Sequence, residues 1–155
     1  MNTTNIPSHM HGKWYVTKDA IIELTKSDDF DIIEFCKTYS DLKNNEALRE
    51  ISGEETWNGL QEAFDGLNML TTTAVFDISS DYVSSDVPTM QSLNLVSVST
   101  EGNETTLIVE SKNEEGGIEK NILTKSETDQ FITFTDSSKT GTLGTNPVDL
   151  ILDLV

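Results

Sequence analysis

This chain of 155 residues is short of positive charge, of cysteine and of histidine. Its one cysteine, Cys36, has no internal disulfide partner, so the fold does not depend on an oxidising compartment. Set among Ile32, Ile33 and Phe35, that thiol reads as a small buried hydrophobe rather than a reactive group. Lysine and arginine number 10 against 27 aspartates and glutamates, a formal charge of −17. Such a field repels phosphate backbones and anionic surfaces, which excludes nucleic acid as the expected partner. No run of apolar residues is long enough for a membrane-spanning helix, so no membrane span is expected. The polar opening Met1 to Met10 lacks the apolar centre of a signal peptide. The compartment stays open, because a removed signal leaves the same trace.

The two histidines, His9 and His11, precede the first strand signal, and spacing places no third ligand beside them. Residues 1–11 are therefore expected to form a flexible N-terminal segment with no metal, and Ser8-His9-Met10 has the look of a cloning remnant. The triplets Asn2-Thr3-Thr4 and Asn103-Glu104-Thr105 match the glycosylation acceptor without settling the compartment.

What the chain does have is strand rhythm. Leu93 to Ser99, Thr105 to Ser111, Ile118 to Lys125 and Phe131 to Asp136 recur at intervals of about twelve residues, the spacing of an antiparallel meander. Turn residues separate them at Glu101-Gly102-Asn103-Glu104, Asn113-Glu114-Glu115-Gly116-Gly117 and Ser126-Glu127-Thr128-Asp129. Trp14 and Val16 alternate with Lys13, Tyr15 and Thr17 in an opening strand, and Ala74, Phe76 and Ile78 alternate with Val75 and Asp77 in another. Tyr82 to Gln91 reads as a loop or irregular edge, and Thr140 to Pro147 is flexible in composition. Val148 to Val155 is either a closing strand or a short helix begun at Asn146-Pro147.

Between the opening strands the period changes. Ile32, Phe35, Tyr39 and Leu42 fall on one face of a helix started by Ser27-Asp28-Asp29. Ser52 and Glu55 have the spacing of a capping box, after which Trp57, Leu60, Phe64 and Leu67 form a narrow apolar stripe. Residues 46–51 extend the first helix, make one of their own or link the two. The expected fold is a single α+β, β-rich domain over 12–155, an antiparallel up-and-down meander forming a barrel or a curved sheet, with a helical pair inserted after the first strand at about 28–70.

Candidate chemistry is thin. Asp77, Asp81 and Asp86 flank a turn but lack the calcium-loop pattern, and Gly116-Gly117 lacks the lysine and helix of a phosphate loop. No base stands at a recognisable offset from any serine or threonine, so a non-catalytic protein without cofactor is expected and an enzyme is the lesser alternative. The inward candidates, Trp14, Val16, Phe76, Ile78, Leu95, Val109, Ile122 and Phe131 to Phe134, either fill a core or line a cavity.

Gly12-Lys13-Trp14-Tyr15 resembles the Gly-x-Trp start of the first strand in lipocalins and the wider calycin superfamily. Asn121-Ile122-Leu123-Thr124 leading to Asp129-Gln130-Phe131-Ile132-Thr133-Phe134 is similar to the closing strands of small bacterial lipocalin-like domains. Helices after the first strand resemble the branch in which they form a lid. The resemblance implies an up-and-down barrel of about eight to ten strands that binds a small apolar molecule, with the tryptophan at its closed end. The expected function is non-catalytic binding of a small apolar or neutral ligand, lined by Trp14, Trp57, Phe64 and Phe76. The alternative is an acidic interaction module, an immunity protein or inhibitor, with a filled core and a basic protein partner.

Overall fold

The computed structural model describes residues 5–87, 93–112, 115–136 and 140–154. The triplet at Asn2, loop residues 88–91 and the turn residues Asn113 and Glu114 lie outside the described residues. The chain runs β1 (Gly12–Val16), α1 (Lys18–Thr25), α2 (Ile32–Lys43), α3 (Glu46–Ser52), α4 (Glu54–Thr72), β2 (Phe76–Ile78), β3 (Val83–Ser84), β4 (Leu93–Glu101), β5 (Glu104–Lys112), β6 (Ile118–Ser126), β7 (Ile132–Thr135), β8 (Thr140–Gly144) and α5 (Leu150–Leu154).

All the strands are antiparallel, in the order β3-β2-β1-β8-β7-β6-β5-β4. Sequence neighbours pair except β3 with β4, and β8 returns to β1 through Val16 opposite Leu143. That pairing curls the ribbon into a nearly closed up-and-down barrel whose two ends are β3 and β4. The Gly102-Asn103 turn closes the β4–β5 hairpin with Glu101 opposite Glu104, which fixes the register of everything after it.

One face of the sheet is the core. Trp14, Phe76, Ile78, Leu107, Val109, Leu123, Ile132 and Leu143 are each 0–2 % exposed. Ala20 and Ile21 of α1, Ile32 and Cys36 of α2, and Leu150 and Leu154 of α5 join the same cluster. Inserted after β1 are four helices rather than a pair. Thr17 begins α1 by accepting a bond from the Ala20 amide, and Asp31 begins α2 by accepting from Ile33 and Glu34.

Several local expectations are corrected. The capping box does not form, because Ser52 ends α3; Gly53, at φ 92°, turns the chain from α3 into α4 with no side-chain cap. Ile122 lies half-buried opposite Ile108 on the outer face, since Leu107 opposite Leu123 puts the other phase of β6 inside, and Phe131 is 50 % exposed. The Thr/Gly-rich stretch expected to be flexible contains β8, held by ladders on both sides. From residue 5 onward the segment before β1 is packed, with Ile6 and Met10 in the core. The Met10 carbonyl accepts the Trp14 indole N–H at 2.8 Å, and His11 bonds the Ile6 carbonyl at 2.6 Å.

Candidate functional site

The aromatic residues expected to line a ligand cavity divide into two separate groups. Trp14 and Phe76 sit opposite each other on β1 and β2, 2 % and 1 % exposed, with the indole bonded to the chain just before it. Side chains so closely packed belong to the filled core.

Trp57 and Phe64 lie on α4 and meet Tyr39 of α2 instead. Seven residues of helix separate them by about 10.5 Å, close to the room one ring needs between two others. Tyr39 occupies that gap, its centroid 3.9 Å from Phe64 at 5° and 5.5 Å from Trp57 at 16°. Arg49 of α3 adds its guanidinium 5.5 Å from the Trp57 ring. This column clamps α2, α3 and α4 together. Burial, followed by the nearby charge of Asp65, holds the Tyr39 hydroxyl above the usual phenol range. Around the column α4 is loosely seated: Trp57, Leu60, Phe64 and Leu67 are all half-buried, and Thr71 is its one fully buried residue.

Unfilled apolar surface on the inner face concentrates at β4. Its inward residues Leu93, Leu95 and Val98 pack against the core yet remain partly exposed. A bulge between Leu95 and Ser97 interrupts the ladder to β5 and turns Val96 out to solvent. On its other side β4 lies against the two-residue strand β3, and no ladder joins the two among the described residues. The barrel therefore has a seam, and β4 forms one lip of it.

Next to this lip the inner face turns polar. Thr100 is opposite Thr105, and Thr105 is opposite Lys125. The two hydroxyls are 3.2 Å apart, and Lys125 donates from Nζ to the Ser126 carbonyl at 2.9 Å. Thr105 is 0 % and Lys125 6 % exposed. Further along β5 and β6, Asn121 donates to the Val109 carbonyl and the Ser111 hydroxyl. Sequence reading missed Lys125 because choosing Ile122 as inward sends Lys125 outward. The signal was the strict alternation Leu107, Val109 on β5 together with the hairpin register, which together admit one phase for β6.

Shallow clefts also lie on the helical side, one of about 220 Å³ lined by Ile22, Phe30, Ile32 and Ile33 with Lys26 and Asp31 at its rim. That is below the usual range of ligand sites, about 300–1,000 Å³, whereas two wide-open hollows of about 570 and 630 Å³, at Ser27 to Thr38 and at Glu54 to Glu62, reach it in size but are lined mostly by polar and acidic side chains. Among the described residues no group of histidine, cysteine and carboxylate side chains could hold a metal. No helix among them is long and apolar enough to cross a membrane. Comparison with known proteins finds no matching family model, no matching curated protein and no matching solved structure.

Proposed function

We propose that this protein binds a small molecule with an apolar body, without catalysis, at the seam of its barrel, in the manner the lipocalin-like resemblance implies. The observation that carries this reading is the contrast within one sheet face. Core residues on β1, β2, β5, β6 and β8 are wholly buried, whereas Leu93, Leu95 and Val98 on β4 keep open apolar surface beside a gap in the ladder. A guest laid along β4 would cover that surface and complete the packing of the seam. Binding to the native state alone raises stability by about 2.7 kcal/mol at a hundredfold excess over Kd. A thermal-shift screen of apolar compounds is therefore expected to raise the melting temperature, and Val98→Trp, which fills the lip, is expected to remove the rise. Silence of the native protein across the screen, or an unchanged response in Val98→Trp, would overturn the reading.

A second reading rests on a different observation. Residues 50–111, which include all of α4, β2, β3 and β4, contain no lysine or arginine. Glu54, Glu55, Glu62 and Asp65 all lie on α4. A surface of one sign over so long a stretch suits a basic protein partner. Its signature is association that weakens steeply between low and high salt; association indifferent to salt rules it out.

A further inference from the structure

We infer that the free edge of β4, from Ser97 to Glu101, takes an added strand from a partner protein, an extended segment that carries lysine or arginine. This inference rests on the basic-partner reading and adds where the partner docks and in what conformation. Strand β4 ends the sheet, and β3 covers little of it, since two residues span about 7 Å of an edge about 30 Å long. Among the described residues no backbone bond reaches β4 from that side. The two-residue turn makes Glu101 and Glu104 a bonded pair, and bonded pairs alternate along an antiparallel ladder. Val98 and Thr100 therefore aim their N–H and C=O groups away from β5, at the open side. Such edges are ordinarily guarded by lysine, proline or an inward charge. From Leu93 to Thr100 there is none of these, and the bulge between Leu95 and Ser97 stops short of the stretch that docks.

The sign of the partner follows from the end of the hairpin. Glu101 and Glu104 stand directly opposite each other, both exposed, and like charges so placed repel. Glu110 has Lys120 across from it on β6, whereas the β6 neighbour of Glu104 is Ser126. No ion pair engages Glu101 or Glu104 among the described residues. Glu101 thus has a repelling neighbour on one side and the open edge on the other, where a cation on an added strand relieves the repulsion. Backbone bonds to Val98 and Thr100 hold the strand, and its charge sets its identity. A second copy of this chain is disfavoured as that strand, because it brings another −17.

Titration calorimetry on the full chain at low salt compares three peptides: KVTVKVTVK, which favours extended backbone; KGSGKGSGK, which has the same charge without that preference; and EVTVEVTVE, the acidic counterpart of the first. KVTVKVTVK is expected to bind at least tenfold more tightly than KGSGKGSGK, and EVTVEVTVE not to bind. Thr100→Pro removes an N–H aimed at the open side and leaves the ladder to β5 in place, so it is expected to weaken KVTVKVTVK at least tenfold. Thr100→Val, which keeps that N–H, is expected to bind as the native chain does. Amide shifts on adding KVTVKVTVK are expected to concentrate at Val98 and Thr100. Equal affinity for the two basic peptides overturns strand addition while leaving the basic-partner reading standing. Absence of binding by both overturns that reading as well. EVTVEVTVE binding as tight as KVTVKVTVK overturns the requirement for a cation, and amide shifts confined to α4 overturn the placement at β4. The peptide comparison in the native chain decides the matter even if Thr100→Pro does not fold.

Discussion

At the scale of single residues, close approach and burial set the predictions. Gly141 on β8 faces Phe134 on β7, and a Cβ built there meets the Phe134 Cε1 at 2.7 Å. Gly141→Ala is expected to push that ring off its seat and cost about 1–3 kcal/mol in chemical denaturation. Gly66 in the middle of α4 has nothing within 4 Å of the same point, so Gly66→Ala is expected to stabilise by about 1 kcal/mol through helix propensity alone. The titrating groups form a second set. The Asp86 hydrogen bond and charge raise Lys13, burial raises the Cys36 thiol, and burial followed by Asp65 raises the Tyr39 phenol. Each is raised in the folded state, so the native chain holds protons that the unfolded chain has already released. Their contribution is complete below the ordinary values of these groups and is lost as pH climbs through the raised ones. Stability is therefore expected to fall above a pH of about 9, and to fall less in a Cys36→Ala, Tyr39→Phe variant. An unchanged slope in that variant would place the loss elsewhere.

At the scale of elements, α4 and the β5–β6 pair stand at opposite ends of a range of local stability. Leu107, Val109 and Leu123 are 0 % exposed within a nine-residue ladder, whereas α4 has Thr71 as its one fully buried residue and is clamped by the Tyr39 ring between Trp57 and Phe64. Amides of α4 are expected to exchange through local opening while those of β5 and β6 wait for global unfolding. Tyr39→Ala, which removes the clamp, is expected to cost about 3 kcal/mol and to speed exchange in α4 before any change appears in β5. The same contrast explains what the sequence disclosed. The strands of the β4–β5–β6 meander were legible because Gly102-Asn103 and the alternation around Leu107 are local signals. The strand β8 was not, since its one wholly apolar inward side chain is Leu143 and the rest of its stability comes from ladders to β1 and β7, far away in sequence. From apolarity alone the run Ala20-Ile21-Ile22-Glu23-Leu24 reads equally as a continuation of β1 or a turn away from it, and the helix α1 found there is fixed by the Thr17 cap and by burial of Ala20 and Ile21. The candidate site was hidden for a similar reason. Whether Ile122 or Lys125 faces inward is settled only by pairing with β5, and apolarity alone favours the wrong one.

At the scale of the whole molecule, the excess of carboxylates acts on the native state as a uniform self-repulsion. Compact chains with large net charge gain stability when their charges are screened, since folding brings like charges closer than they stand in the unfolded chain. Screening shortens from about 30 Å to about 3 Å between 0.01 M and 1 M salt, from the span of a domain to contact distance. At −17, with residues 50–111 free of lysine and arginine, the melting temperature is expected to climb steadily across that range. The same salt series separates the two functional readings. Salt weakens attraction of a basic partner to the acidic stretch, so such a complex dissociates while the free protein becomes more stable. An apolar guest buried along β4 responds differently, because its burial rests on apolar contact that screening leaves almost untouched. Affinity for such a guest, read by titration calorimetry across the series, is therefore expected to hold or rise with salt. A steep fall would mean that the guest is held by exposed charge, and the apolar seam would lose its place as the site.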